Sequence, residues 1–305
     1  MEKIRDYSIK KGMTVSDLVG QFSAAGFQAT EVGEAVRLIR KMKKERATVF
    51  LSFTANMLAS GLRGIITKMV RERLVDVIIT TGGSIDHDMI RAGKSYLLGD
   101  FKLDDTELHK KGINRLGNIL IPSDRFVFLE KKMQGIFSQL QRRKKSWTPS
   151  ELIFEIGKSV KDESSFMYWA SKNNIPIFCP GITDSAVGLQ LYFFKQDNPD
   201  FKIDVSGDMR LADIVINSEK TGGIILGGGI SKHHAIGVNI LREGLDYAVY
   251  ITTSSPWDGS LSGATPNEAK SWSKIKEKGN TVTVYGDATI IFPLIMAKVF
   301  EGREG

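Results

Sequence analysis

The apolar positions of this chain collect into short runs, and the stretches between them carry helical spacing. Val49 to Phe53, Val75 to Thr80, Ile175 to Phe178, Gly223 to Leu226, Tyr247 to Thr252 and Thr281 to Tyr285 read as strands. Asn56 to Arg71, the residues after Asp184, about His233 to Arg242, and the apolar stretch from Asp287 to near Phe300 read as helices. Each predicted strand hands over to Gly, Thr, Ser or Asp. Short strands alternating with helices in this way argue for an α/β protein built on a doubly wound, mostly parallel sheet. Ligands of such sheets collect at the carboxyl ends of the strands.

The remaining pattern is helical. A segment of about 1–46 carries Thr14-Val15-Ser16-Asp17, a capping pattern for a short helix. A helix-rich stretch of about 123–172, broken by Arg142 to Pro149, reads as an insertion or an outer layer. With 305 residues and 42% hydrophobic content, the chain is expected to bury a substantial core as a single domain, 1–305.

Composition narrows the setting. The one cysteine, Cys179, rules out an intrachain disulfide and a cysteine-rich metal site, and suits a reducing cytoplasm. No charged-then-apolar leader is visible, and no apolar run approaches the eighteen or so residues that span a bilayer, so a soluble, cytoplasmic protein without membrane contact is expected. The formal charge of +7 is densest at Arg40 to Lys44 and Arg142 to Lys145. Both clusters fall at predicted helix C-termini, where cations favour the dipole, and neither is interleaved with aromatics, so nucleic acid is not an expected partner.

The candidate chemistry lies in the turns. Gly82-Gly83 and Gly227-Gly228-Gly229 follow predicted strands, where glycine lets main chain approach a ligand and turns amides toward phosphate. Neither is a G-x-G-x-x-G fingerprint, yet their shared position favours a dinucleotide. Asp184 and Asp287 each follow a strand and start a helix, a place suited equally to ribose hydroxyls and to N-capping. His233-His234 stands at a glycine-lined mouth, placed to move a proton near neutral pH. No metal is expected, because the other histidines are only His87 and His109, with no H-x-x-x-H or H-x-E spacing.

The loop Trp257 to Gly263 leads into a predicted helix capped by Thr265, with Pro266 in its first turn and Glu268 three residues after the cap. Glu268 and Trp272 stand four apart and share a face. Lys274 lies about 200 degrees beyond Trp272 on a continuing helix. It reaches the same pocket only if the helix bends, ends or faces a partner chain. Lys274 is therefore read either as a catalytic amine or as a solvated lysine beside a core tryptophan.

Taken together, Ile224 to Gly229 with Lys232-His233-His234, Asp246 to Tyr250, Trp257 to Lys274 and Tyr285 to Ala288 resemble the deoxyhypusine synthase family, in its archaeal form. Asn56 to Gly61, Thr80 to Gly83, Gly112 to Asn118 and Pro180 to Asp184 add to the resemblance. It implies a Rossmann-like NAD-binding fold and a homotetramer of tight dimers with active sites at dimer interfaces. It implies, too, transfer of the aminobutyl group of spermidine to a lysine of the hypusine-bearing translation factor precursor. By family position, NAD contacts fall on Asn56, Thr81, Gly82, Gly83, Asp184, Gly228, Thr253, Ser262, Asp287 and Ala288. Lys274 is the covalent carrier, His233 handles protons, Glu268 holds an ammonium and Trp272 packs on the methylenes, with Asp86 and Gly259 also at the amine site. Covalent catalysis by a lysine needs the neutral amine, so its pKa must fall from about 10.4.

Departures from the family pattern concentrate at the amine clamp. His87 stands where the second of two adjacent acids is common, Leu189 where an acid is common, and Gly237 where an asparagine is common. Leu261 replaces an acid of eukaryotic members. These exchanges leave room for a relative that uses another amine, as in homospermidine synthesis, or for a non-catalytic NAD-binding subunit.

Overall fold

The computed structural model describes residues 3–301. They form two compact units. One takes in the chain up to Phe53, Leu74–Ile79 and everything from Arg210; the other takes in Thr54–Arg73 and Thr80–Met209.

The first unit is organised by parallel strands β1 (Thr48–Phe53), β2 (Val77–Thr80), β3 (Thr221–Leu226), β4 (Leu245–Thr252) and β5 (Ile275–Tyr285), in the order β5-β4-β3-β1-β2. Strand β3 pairs in parallel with both β1 and β4 and is buried along its whole length. Strands covered on both faces select continuous apolar sequence, which is why these runs show no in-out alternation. The helix Phe27–Lys44 buries Val32, Ala35, Val36, Ile39 and Met42, one apolar stripe at helical spacing. Its Met42 lies so close to β3 that a Cβ on Gly222 would sit 2.7 Å from the methionine sulfur. Asp246 then ties three strands: it accepts from the Thr221 N–H of β3 and pairs with Arg242 at 2.7 Å and with Lys276 of β5 at 2.8 Å.

The second unit is mainly helical: Leu62–Arg71, Gly82–Arg91, Asp124–Gln141, Pro149–Ser159, Phe166–Asn173 and Ala186–Asp197, with a small antiparallel ribbon of Ile113–Leu116 and Ile119–Pro122. Its core holds an ion pair, Arg63 Nε to Asp88 Oδ1 at 2.6 Å. The other Asp88 oxygen accepts from the Ser165 hydroxyl and the Met167 N–H, so the carboxylate is saturated although wholly buried. Arg63 has a second, longer pair to the part-exposed Asp162 at 3.8 Å, so the buried contact with Asp88 is the one that holds the guanidinium in the core.

Several strands start one or two residues away from the sequence expectation, and three elements differ more. The helix expected over Asn56 to Arg71 is two, Ala55–Ala59 and Leu62–Arg71, because the Ser60 hydroxyl donates to the Met57 carbonyl and accepts from the Leu62 N–H. The helix expected from His233 begins earlier, at Gly229, and tightens into a 3-10 turn from Val238. Strand β5 begins at Ile275, six residues before its apolar run, since it lies at the edge of the sheet and its first half is polar and partly exposed. No helix among the described residues is long and apolar enough to cross a membrane.

Candidate active site

In the first unit the strand register lines up the turns. Leu226 of β3 pairs with Ile251 of β4, and Thr252 of β4 pairs with Tyr285 of β5. The Gly227 N–H extends the ladder to the Ile251 carbonyl, and the Gly286 N–H to the Thr252 carbonyl, both at 2.9 Å. Gly228, Thr253 and Asp287-Ala288 therefore stand along one edge, at the carboxyl ends of neighbouring strands. Gly227 and Gly229 have φ of +79° and +68°. At Gly228 any Cβ would overlap Ser262, so the loop containing Ser262 closes onto this turn only because position 228 is glycine. The Gly229 N–H donates to the Ser262 hydroxyl at 3.1 Å, and the helix Gly229–Gly237 starts without a side-chain cap. Asp287 does cap its helix, accepting from the Thr289 N–H, so the capping role weighed for it is present.

The segment carrying Lys274 corrects the expectation of a continuous helix. Thr265 caps Pro266–Ser271 as expected, but the helix stops at Trp272. Ser273 takes a left-handed conformation, φ +55°. Its N–H donates to the Lys270 carbonyl and the Lys274 N–H to the Ala269 carbonyl, the paired bonds of a Schellman stop. The chain reverses there, which removes the 200-degree offset and leaves the Lys274 Nζ 5.3 Å from the centre of the Trp272 ring. Trp272 is 64% exposed and thus no core tryptophan. Glu268 is exposed on the same short helix, and Trp257, on the preceding loop, is exposed as well. Gly259 takes φ +71° in open space. His233 is exposed on the helix after β3, and a Cβ at Gly237 would lie 3.9 Å from its Cε1.

One residue here escaped the sequence reading. Lys232 is 1% exposed, and its Nζ donates to the Ala264 carbonyl at 2.8 Å and lies 4.4 Å from the Tyr250 ring centre. Burial pushes its amine down to about 8, against the field of Glu268. Nothing in the sequence separates it from a surface lysine.

The second unit gathers another group of the expected residues. The Thr81 hydroxyl accepts from the Ala55 N–H at 3.0 Å, beside Asn56, whose Oδ1 accepts from Thr54. A Cβ at Gly83 would press on Ala55, and one at Gly82 on Ser185, with the Asp184 carbonyl 3.2 Å away. Asn56, Thr81, Gly82, Gly83 and Asp184 thus surround one helix start, Gly82–Arg91, which has no side-chain cap. Ser185, rather than Asp184, caps the helix that follows.

Asp86 and His87 are more deeply set. Both Asp86 oxygens accept main-chain N–H groups, from Ala186 and Val187, each at 2.8 Å. Burial raises its carboxyl to about 6 despite those bonds. His87 shares a 2.7 Å hydrogen bond between its Nδ1 and the Tyr96 hydroxyl, and burial, then the nearby Arg91, push the imidazole down to about 4. At neutral pH His87 is an uncharged ring where the family commonly has an acid. Leu189 is exposed, and Gly188 is required, since a Cβ would strike the Ile182 and Thr183 carbonyls.

Known proteins resemble this chain along nearly its whole length. The sequence model of one family, Deoxyhypusine synthase, matches residues 17–299. A relative from Picrophilus torridus is 47% identical over 299 residues, 97% of this chain and 96% of its own. Another, from Thermoplasma acidophilum, is 48% identical over 297 residues, 96% of each. Both carry the name "Probable deoxyhypusine synthase". Among solved structures, the chain is similar to the "Crystal Structure of a putative deoxyhypusine synthase from Entamoeba histolytica", with a TM-score of 0.73 at 30% identity over 98% of this chain and 97% of that one.

Proposed function

Because this chain belongs to the deoxyhypusine synthase family, we propose that it moves the aminobutyl group of spermidine onto a lysine of the hypusine-bearing translation factor precursor, with Lys274 as the covalent carrier. The observation that carries this reading is the helix stop at Trp272, which sets the Lys274 amine against an exposed indole.

The cofactor that this chemistry uses is NAD, which when bound takes a hydride from the amine and later gives it back. The residues present suit it. Two helices that follow strands, Gly82–Arg91 and Gly229–Gly237, start without a capping side chain on their N-cap residues, and apart from the Gly229 N–H, which the Ser262 hydroxyl takes, their first amides suit a phosphate. Gly82, Gly83 and Gly228 allow backbone to approach so closely that a methyl would not fit. By family position Asn56, Thr81 and Asp184 of the second unit, beside the first of these turns, and Thr253, Ser262, Asp287 and Ala288 of the first unit, beside the other, are assigned to the cofactor as well.

The protein's own part follows from its side chains. The neutral Lys274 amine adds to the oxidised carbon of spermidine, 1,3-diaminopropane leaves, and the four-carbon amine stays on the enzyme as a lysine imine. The acceptor lysine then displaces Lys274. Trp272 offers a flat apolar face to the methylenes, with its π face suited to a neighbouring ammonium, and Glu268 on the same short helix supplies the counter-charge. His233, exposed at the mouth of β3, moves protons. In the second unit Asp86 and the uncharged His87, assigned to the amine by family position, offer it fewer free anions than two acids would.

Exposed Trp257, Trp272, Ile230 and Ile290 on the first unit support a site completed by a second copy, within a homotetramer. The single cysteine, buried and unpaired, supports a cytoplasmic setting. The test is incubation with NAD, labelled spermidine and the translation factor precursor. Label is expected in the precursor as deoxyhypusine. Label found only in a free polyamine refutes the assigned acceptor.

A further inference from the structure

Lys232 takes no part in the chemistry described, and its burial demands a reason. An ammonium withdrawn from water is destabilising unless its partners repay the lost hydration, and an apolar side chain of the same length would fill the space without that cost. The partners here are unusual. They are main-chain carbonyls of an irregular loop, Ala264 at 2.8 Å and Ser262 at 3.5 Å, together with the face of the buried Tyr250 ring on β4. Lys232 itself sits on the helix that follows the Gly227-Gly228-Gly229 turn. One side chain therefore joins the helix after β3, strand β4 and the Ser/Gly loop.

The loop needs such a tie. Its internal hydrogen bonds are short-range turns, Gly263 N–H to the Ser260 carbonyl and Ala264 N–H to the Leu261 carbonyl. The Thr252 hydroxyl reaches the Ser262 carbonyl only at 3.4 Å. Yet Ser262 is held so close to Gly228 that a single methyl would not fit between them, and its hydroxyl takes up the Gly229 N–H. The next residues lead directly into the helix that carries Glu268 and ends before Lys274.

We propose that Lys232 is a positioning residue: its ammonium latches the Ser262–Ala264 loop onto the Gly228 turn and so presets the dinucleotide edge of the site. The latch is a property of this chain alone, while its effect on NAD rests on the function proposed above.

Two measurements separate these. In Lys232→Met the side-chain volume is kept and the ammonium removed, with Lys232→Gln as a second variant that keeps an uncharged donor. Hydrogen exchange of the Ser260–Ala264 amides should quicken about tenfold or more in both while the rest of the sheet is unchanged. The melting temperature should hold or rise, since a buried charge has gone. NAD binding, read by quenching of the exposed Trp257 and Trp272, should weaken at least about tenfold. Unchanged loop exchange, or loss of folding in both variants, overturns the latch. Faster loop exchange with undiminished NAD affinity overturns its role at the dinucleotide edge. Absence of NAD binding in the unaltered protein refutes the cofactor assignment instead, and the exchange result still decides the latch.

Discussion

The Lys274 N–H donates to the Ala269 carbonyl at 2.9 Å, and this bond makes the difference between a lysine on the far side of a helix and one beside Trp272. It forms only because Ser273 between them accepts a left-handed backbone, which a residue with a Cβ adopts at some energetic expense.

Position 273 is therefore a direct lever on the site. Ser273→Gly should stabilise the protein by about 0.5–1 kcal/mol in urea denaturation, with Lys274 chemistry intact, because glycine has no Cβ penalty at this φ. Ser273→Pro fixes φ near −65° and deletes the N–H that bonds to the Lys270 carbonyl. It should abolish spermidine-dependent adduct formation even where the protein still folds. Equal adduct yields in the two variants would remove the stop from the account.

Gly237 bears on His233. Its backbone is ordinary helix, so a side chain there is tolerated, and its Cβ would lie 3.9 Å from the imidazole Cε1. Gly237→Asn should keep the melting temperature within a few degrees and shift the pH profile of NADH formation, whereas His233→Ala should slow that step at all pH values. A pH profile identical to the parent protein's would detach His233 from the proton transfer.

The buried ion pair of the second unit predicts a large loss. Asp88→Ala leaves the buried Arg63 with only the longer, part-exposed pair to Asp162 at 3.8 Å and should cost about 3 kcal/mol in chemical denaturation. A loss below about 1 kcal/mol would mean that water or Asp162 replaces Asp88 at Arg63, contrary to the role given to the buried pair.

Two buried groups give stability opposite pH slopes. Asp86 titrates near 6 in the folded chain, above its ordinary 3.8, so the fold holds its proton more tightly. Its contribution is complete below about 3.8 and is lost as pH rises through 6. Lys232 titrates near 8, below its ordinary 10.5, so the fold holds that proton less tightly. Its contribution is complete above 10.5 and is lost as pH falls through 8. Urea midpoints measured across pH should show the first slope flattened in Asp86→Asn and the second in Lys232→Met; parallel curves for parent and variants would contradict both assignments.

What the sequence made legible follows from which residues had no alternative. Parallel strands buried on both faces must be apolar, so β1, β3 and β4 stand out, while the exposed first half of β5, with Lys276, Glu277 and Lys278, carries no such mark. Glycines that admit close approach, Gly82, Gly83 and Gly228, are visible because no other residue fits them. Lys274 was visible as a residue but not as a position, since the left-handed serine that ends the helix has no strong signature. Lys232 and Asp86 were harder still: a lysine reads as surface and an acid as an anion for a ligand, and only tertiary contacts reveal one latched to a loop and the other set on the amides of Ala186 and Val187.

The central claim is that the Lys274 amine carries the transferred group. Incubation with NAD and labelled spermidine, borohydride reduction and peptide mapping by mass spectrometry tests it most directly. The account predicts a four-carbon amine on Lys274, dependent on NAD and absent from Lys274→Ala, which should still bind NAD. An adduct on another lysine, or one that persists in Lys274→Ala, would contradict it.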